Sequence, residues 1–481
     1  MEPMATGIPG LDRVLRGGLR PRALHVIGGL PGTGKTTLAQ QIAYHHAGEG
    51  GRVLYLAALS ETAERLVDHA AGFSFFDASL VAERIYYVSL YPKLEEGGLP
   101  AVLEETRRLA LDYRASLVCV DGLSTLKTAA ASSLDFRRFV FDLNAQLRSL
   151  GATTLLIGPW VEWAATDPEF TVTDGIINLS LHSSERGARR YLEVLKLRGT
   201  EHMAGKHVVT ISHDGLSVFP RLEAVLGQEV VAQPSSQWTR TGTGAAKLDQ
   251  MLRGGIPSGS STLVAGVPGA GKTTLALSFL AEGGRQGERG IYLGFDEAPT
   301  RLVAKADALG FGLGKMVDEG TQQIWRVPPF DLIPDHLAWE LLRSVDDTGA
   351  RRLVIDGLDT LLAGLEGSGR AEPFLAALMI GLAARNVTTV VTAELPRVIG
   401  SDPLGAYERI GIFDNVITLQ YVEMRSELHR LVSILEVRES DFDSAIREFT
   451  ISEGGLHVTD TLGSAEVVLT GIGHWRRRRA R

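Results

Sequence analysis

Two segments of this chain, residues 29–36 and 266–273, fit the phosphate-binding pattern G-x-x-x-x-G-K-[ST] in full. Glycines in such a loop let backbone N–H groups turn inward around phosphates, and the helix that follows adds its positive end. The lysine reaches the β- and γ-phosphates, and the Ser or Thr holds Mg²⁺. Both segments lie between an apolar strand pattern and a helix-like run, so we expect each half of the chain to bind ATP. The predicted nucleotide-binding residues are Gly32, Thr33, Gly34, Lys35, Thr36 and Thr37, and Gly269, Ala270, Gly271, Lys272, Thr273 and Thr274.

The two loops belong to a longer internal repeat. Lys272 stands 237 positions after Lys35, and at that offset Leu11-Asp12 meets Leu248-Asp249. The similarity therefore starts well before the phosphate loops. We predict a first domain over 1–222, a linker over 223–240, a second domain over 241–458 and a tail with a basic end over 459–481.

Short apolar strands alternate with helical patterns in both halves. The strands before and after each loop are apolar on both faces, as at 23–27, 117–121, 261–265 and 353–356. Such strands predict a parallel sheet covered by helices on both sides, with ligands at the carboxyl ends of the strands. The later part of each half turns toward β-rich patterning. The predicted fold class is α/β, with two tandem P-loop NTPase domains, each a mostly parallel sheet flanked by helices.

Composition narrows the function classes. The net charge of −8 and the pI of about 5.9 give no broad basic field, which argues against a nucleic-acid partner. Cys119 is the single cysteine, so no disulfide framework and no thiolate metal site is expected. No run of about 18 apolar residues and no signal pattern is present in the sequence. A cytoplasmic protein with no membrane partner is the expectation.

Asp121 and Asp356 end apolar strands well beyond each phosphate loop. An acidic residue at that place holds Mg²⁺ directly or through water. A strand-terminal Asp also caps the following turn in many proteins, and that alternative stays open. Together with Thr36 and Thr273, these two residues form the predicted metal sites.

Hydrolysis also needs a carboxylate that orients or deprotonates a water molecule. The second half offers Asp296 and Glu297 directly after a strand, and the first half offers Glu61 at the corresponding strand end. The alternative is that these acids only favour the start of the next helix through its dipole.

At this point the chain resembles the tandem-domain members of the KaiC family of RecA-like ATPases. The resemblance covers nearly the whole chain and implies that the two tandem P-loop NTPase domains are RecA-like. It depends on the Thr-Gly, Leu-Asp and Gly-Gly residues ahead of each loop and on three further stretches. These are residues 296–299 (Asp-Glu-Ala-Pro), 195–202 (Leu-Lys-Leu-Arg-Gly-Thr-Glu-His) and 419–423 (Leu-Gln-Tyr-Val-Glu).

The resemblance implies hexameric double rings with ATP between neighbouring subunits. It also implies that Lys196 and Arg198 reach the γ-phosphate of the adjacent subunit's nucleotide, with Arg438 at the matching place in the second half. Cations supplied in trans stabilise charge on the transferring phosphoryl group. The alternative interpretation is a solvated basic strand edge.

The sequence departs from the family pattern in three places. Glu436 stands where the motif has a lysine, which places an anion near phosphate in the second ring. Residues 410–412 read Ile-Gly-Ile, so no hydroxyl is available where the clock kinase carries adjacent phospho-acceptors. In the first half Ser60 replaces the first of the paired acids, and Pro159 stands where the second half has Glu394. We therefore expect slow and unequal hydrolysis at the two sites.

The favoured function is an ATP-dependent homo-hexameric ring that acts as a signalling or scaffolding ATPase with an unidentified protein partner. Two enzyme alternatives remain open: an autokinase of the clock-protein type and a RecA-like DNA-dependent ATPase. A binding module in which the nucleotide is purely structural is the non-enzymatic alternative.

Overall fold

The computed structural model describes residues 2–58, 63–159, 171–184, 187–226, 239–330, 332–395, 410–424, 427–438, 440–459, 465–467 and 473–475. The chain divides into two units, Met1–Val225 and Leu226–Arg481. The predicted linker begins within a short helix, Leu222–Leu226, and its residues 227–238 lie outside the described part. The domain boundaries given above remain predictions.

The first unit contains one large sheet. Its strands are β1 (Leu24–Gly29), β2 (Val53–Ala57), β3 (Ile85–Ser89), β4 (Leu117–Asp121), β5 (Thr153–Pro159), β6 (Gly175–Ser184), β7 (Gly187–Leu197), β8 (His207–Ser212) and β9 (Gly215–Phe219). Its helices are α1 (Pro9–Val14), α2 (Lys35–Gly48), α3 (Ala63–Ala71), α4 (Tyr91–Asp112), α5 (Leu123–Ala129) and α6 (Ser133–Ser149), with a 3₁₀ turn at Ala78–Leu80 and α7 (Leu222–Leu226) at the boundary.

The strand order in this sheet is β3-β2-β4-β5-β1-β6-β7-β8-β9. Strands β3 to β6 in that order run parallel, and β7, β8 and β9 add an antiparallel extension. β1 is buried along its whole length, which fits a central strand covered on both faces. The parallel strands bring their carboxyl ends, and the loop after β1, to one edge of the sheet.

The second unit repeats this arrangement. Its strands are β10 (Arg240–Thr241), β11 (Ile256–Pro257), β12 (Ser261–Gly266), β13 (Gly290–Gly294), β14 (Gln322–Arg326), β15 (Arg352–Asp356), β16 (Thr388–Glu394), β17 (Asn415–Met424), β18 (Glu427–Val437), β19 (Arg447–Ser452), β20 (Gly455–Val458), β21 (Ala465–Val467) and β22 (Gly473–Trp475). Its helices are α8 (Ala246–Met251), α9 (Lys272–Arg285), α10 (Pro299–Ala308), α11 (Leu313–Asp318), α12 (Pro334–Thr348), α13 (Leu358–Ala363) and α14 (Ala371–Ala383), with a 3₁₀ turn at Ile410–Ile412.

The large sheet of the second unit has the order β14-β13-β15-β16-β12-β17-β18-β19-β20, which matches the first sheet strand for strand. Its core packs Phe279 of α9 against Tyr292, Val354 and Val390 of three neighbouring strands. β21 and β22 pair with each other inside the predicted tail. The predicted fold class, with its β-rich later part in each half, is confirmed.

Among the described helices, none combines the length and the apolar character that a membrane crossing requires.

Candidate nucleotide-binding sites

Each phosphate loop connects a buried central strand to the helix behind it. The loop after β1 leads into α2, and the loop after β12 leads into α9. Gly34 and Gly271 precede these helices with φ of 101° and 106°, a left-handed conformation in which a side chain would be strained. The first N–H groups of a helix have no partner within the helix, and their positive end favours a bound anion.

The other residues of each loop are either open to solvent or buried beneath the loop. Gly32 and Gly269 have φ of 79°, and a Cβ at Gly32 would meet no atom within 4 Å, so this part of the loop faces open space. Thr33 and Ala270 are buried beneath the loop, and the Thr33 hydroxyl donates to the Leu30 carbonyl at 2.8 Å. Thr37 and Thr274 are also buried, in the first turn of each helix.

The two loop lysines are held by backbone carbonyls. Lys35 Nζ donates to the Leu30 carbonyl at 2.8 Å, and Lys272 Nζ donates to the Gly266 and Val267 carbonyls at 2.8 and 3.1 Å. Burial lowers the pKa of both ammonium groups, and nearby carboxylates, Asp121 for Lys35, partly offset this effect. Both lysines therefore lie in the loop, partly desolvated, where an anionic ligand would stabilise their charge.

The predicted metal ligands meet in both halves. Thr36 Oγ1 lies 3.0 Å from Asp121 Oδ2, and Thr273 Oγ1 lies 2.9 Å from Asp356 Oδ2. A hydroxyl and a carboxylate at the mouth of a phosphate loop are the hard oxygen donors that Mg²⁺ prefers alongside phosphate oxygens. The residues present therefore fit a magnesium–nucleotide complex in each half.

A cavity of about 560 Å³ surrounds the second loop. Lys272, Thr273 and Asp356 line it, and the exposed Asp296 and Glu297 face it from the end of β13. Glu297 Oε1 lies 3.7 Å from Lys305 Nζ of α10. The predicted water-orienting carboxylates of the second half thus share one cavity with the metal pair. Glu61, their predicted counterpart, lies outside the described residues.

The cavity also contains residues that the sequence interpretation did not assign as site residues. Glu394, at the end of β16, lies 3.9 Å from Lys272 Nζ, and Asp359 Oδ2 accepts a hydrogen bond from the Glu394 N–H at 3.3 Å. The hydroxyls of Tyr292 and Thr392 both donate to the Asp356 carboxylate. One signal was available in the sequence: a tyrosine recurs at the same place in β2 and β13.

The antiparallel extension also contacts the loops. Arg190 of β7 points Nε and Nη2 toward the Gly32 carbonyl at 3.4 and 3.5 Å. In the second half the Tyr421 hydroxyl donates to the Gly269 carbonyl at 2.7 Å, and Arg430 lies over the Tyr421 ring. The two loops are therefore supported by different side chains.

The two basic residues predicted to act in trans, Lys196 and Arg198, lie at the opposite end of the sheet from the loop. Lys196 lies near the end of β7 and Arg198 directly follows it, and both donate to the Thr171 carbonyl, at 3.4 and 2.6 Å. Leu197 pairs with Gly175, and Gly175 pairs with His25 near the start of β1. The loop begins at Gly29, the other end of that strand.

Arg438 has the same position in the second half, where Glu436 stands in place of Lys196. It donates to the Gly411 carbonyl, and its guanidinium lies 3.7 Å from Asp414 Oδ1 and 3.6 Å from Glu436 Oε1. Glu436 pairs with Val416 as Lys196 pairs with Ile176, so the two residues occupy equivalent register positions. The arginine of the second half is thus flanked by two carboxylates.

Comparison with known proteins matches both halves. The family model described as "ATPase: KaiC" matches residues 4–223 and 241–463. The circadian clock oscillator protein KaiC of Synechococcus elongatus is 30% identical over 481 residues, which cover 97% of this chain and 91% of that protein. The protein of the same name from Picosynechococcus sp. is 29% identical over 487 residues, covering 98% and 92%. KaiC 1 of Synechocystis sp. is also 29% identical, with the same coverage.

Proposed function

The chain belongs to the KaiC family of ATPases, and from that premise we propose that it binds ATP with Mg²⁺ in both halves and assembles into a nucleotide-dependent homo-hexameric double ring. The ring hydrolyses ATP slowly and at unequal rates in its two halves. It serves as a scaffold whose surface for a signalling partner depends on the bound nucleotide.

The position of Arg198 is the observation that carries the assembly proposal. A strand advances about 3.3 Å per residue, so the four residues from His25 to Gly29 separate Arg198 from its own loop by roughly 13 Å along the sheet. The two strand spacings between β1 and β7 add about 10 Å sideways. Arg198 is therefore too far away to contact a nucleotide in its own loop. A phosphate contact requires a second copy of the chain.

The chemistry assigned to each residue follows from its place. Lys35 and Lys272 bind the β- and γ-phosphates. Thr36 with Asp121, and Thr273 with Asp356, hold the magnesium ion, which when bound neutralises charge on the phosphates. The role of orienting the attacking water is assigned to Glu61, Asp296 and Glu297. The role of stabilising the transferring phosphoryl group from a neighbouring subunit is assigned to Lys196, Arg198 and Arg438.

The two rings differ in how well they can provide that trans contact. Lys196 and Arg198 are both cationic, whereas Glu436 and Arg438 together carry no net charge. The Arg438 guanidinium must also leave Asp414 and Glu436 before it can engage a phosphate. We therefore assign the stronger nucleotide-dependent contact between subunits to the first ring.

Sedimentation with and without ATP–Mg²⁺ tests the proposal. The unmutated chain should sediment as a hexamer with ATP–Mg²⁺ and as smaller species without it. Arg198→Ala should weaken the hexamer more than the matched variant Arg438→Ala. A monomer under all nucleotide conditions would refute the assembly, and equal effects of the two variants would refute the assignment to the first ring.

A further inference from the structure

A buried phenol lies under the metal-binding carboxylate in both halves. Tyr55 is the third residue of β2 and Tyr292 the third residue of β13, and each is buried. The Tyr55 hydroxyl donates to Asp121 Oδ2 at 3.1 Å, and the Tyr292 hydroxyl donates to Asp356 Oδ2. The arrangement recurs in both halves, although Arg190 contacts the first loop and Tyr421 contacts the second.

The strand register explains how the phenol reaches the carboxylate. β2 lies beside β4 and β13 lies beside β15, with Ala57 opposite Asp121 and Gly294 opposite Asp356. Side chains two residues apart in a strand share a face, so the tyrosine lies diagonally below the aspartate. A Cβ at Gly294 would come within 2.8 Å of Cε1 of Tyr292. The small residue opposite the aspartate leaves space for the ring.

The same carboxylate oxygen receives two hydroxyls. Asp121 Oδ2 accepts from Thr36 Oγ1 as well as from Tyr55, and Asp356 Oδ2 accepts from Thr273 Oγ1 as well as from Tyr292. The threonine lies on the loop side, where the cation would bind, and the tyrosine lies on the core side. A bond from the core side restricts the rotation of the carboxylate, so the carboxylate keeps one orientation relative to the loop.

We propose that Tyr55 and Tyr292 are positioning residues for the divalent cation, each holding the carboxylate of its half in the orientation that the cation requires. The inference rests on the proposed function, since it presupposes a magnesium–nucleotide complex in each loop. A phenylalanine would fill the same space without a buried hydroxyl, so packing alone gives no reason for the phenol. Outer-shell hydrogen bonds to metal ligands typically change metal affinity by about 10–100-fold.

The second half has an additional restraint on the same carboxylate. Thr392 Oγ1 donates to Asp356 Oδ1, the oxygen that Tyr292 does not contact. Ile157 occupies the equivalent place in β5 and offers no donor. Thr392→Val therefore provides a second way to loosen Asp356, at the carboxylate oxygen opposite the one that Tyr292 contacts.

The experiment measures Mn²⁺ binding by electron paramagnetic resonance in the full chain at saturating ATP. Lys35→Ala or Lys272→Ala removes nucleotide binding from one half, so that the Mn²⁺ signal comes from the other half alone. Tyr55→Phe and Tyr292→Phe should each weaken Mn²⁺ binding by about tenfold. ATP binding in EDTA and the thermal melting curve should stay unchanged.

Tyr87→Phe is the matched control, because Tyr87 is a partly buried phenol on the next strand whose hydroxyl contacts the Tyr44 hydroxyl at 3.4 Å. It should leave Mn²⁺ affinity unchanged. Unaltered Mn²⁺ affinity in Tyr55→Phe and Tyr292→Phe would overturn the positioning role. So would an equal loss of metal-free ATP binding, which would indicate general damage to the site. If the unmutated chain bound no Mn²⁺ in an ATP-dependent manner, the proposed function would fall and the positioning role with it.

Discussion

Replacing Arg352 by alanine should destabilise the second unit strongly. Arg352 begins β15, the strand that ends at Asp356, and its side chain is only 1% exposed. Its guanidinium binds Glu288 at 2.6 Å and donates to the Gly242 and Phe279 carbonyls at 2.7 and 2.8 Å. It therefore joins the strand of the metal ligand to the helix that follows the phosphate loop.

The magnitude follows from what the deletion leaves behind. Removing one partner of a buried ion pair typically costs about 3–5 kcal/mol. Glu288 is 36% exposed, so water can solvate its abandoned carboxylate, which favours the lower end of that range. The two carbonyls that lose a donor belong to the same buried network, so their loss is contained in that range and is not added to it. We expect Arg352→Ala to lower the free energy of unfolding of the second unit by about 3 kcal/mol.

Hydrogen exchange of peptides from α9 and β15, followed by mass spectrometry, reports on the second unit alone. A loss of 3 kcal/mol corresponds to exchange about 150-fold faster where global opening limits it. The exposed neighbour Arg351, which donates to the Arg385 carbonyl, supplies the control Arg351→Ala, expected to change stability by about 0.5 kcal/mol or less. Equal protection from exchange in the two variants would show that the buried guanidinium does not stabilise the second unit.

Three further predictions concern turnover, acid stability and packing. Lys35→Ala and Lys272→Ala should each abolish ATP turnover in one half only, and full activity in both variants would contradict the site assignment. Burial lowers the pKa of His25, so that, as the pH falls, the unfolded state takes up a proton before the folded state does. The first unit therefore loses stability as the pH falls below about 6.5. His25→Gln should flatten that loss in an acid-unfolding curve, and an unchanged curve would count against it. Arg370→Ala removes an ion-pair partner of the fully buried Asp335, whose carboxylate lies 2.8 Å from the Arg370 guanidinium. The free energy of unfolding should fall by about 3–5 kcal/mol, which lowers the melting temperature. A shift of less than one degree would contradict this.

The sequence predicted those parts of the site that depend on local pattern. The phosphate loops, their flanking strands and the family resemblance follow from short motifs and from apolar periodicity. The meeting of Thr36 with Asp121 was also predictable, because the carboxyl ends of parallel strands lie at one edge.

The remaining contacts depend on register between distant strands. A tyrosine in an apolar strand indicates core packing, and only the alignment of β13 beside β15 brings the Tyr292 hydroxyl to Asp356. The buried contacts of Arg352 were likewise not predictable, because an arginine is rarely fully buried. Its carbonyl partner at Gly242 is 110 residues away in the chain, a separation over which no sequence pattern predicts contact.

The two halves share the residue types that surround each phosphate loop. They differ at the strand end where the proposed neighbouring subunit would bind. Thr, Asp and Tyr recur around each loop, whereas the strand end that would face another subunit carries Lys196 and Arg198 in one half and Glu436 and Arg438 in the other. In the proposed ring, an anion in place of one of two cations beside a triphosphate would weaken the contact between subunits without changing the residues of the loop itself. In the proposed ring, divergence after duplication would therefore have altered the coupling between subunits, while the residues of each phosphate loop stayed the same in kind.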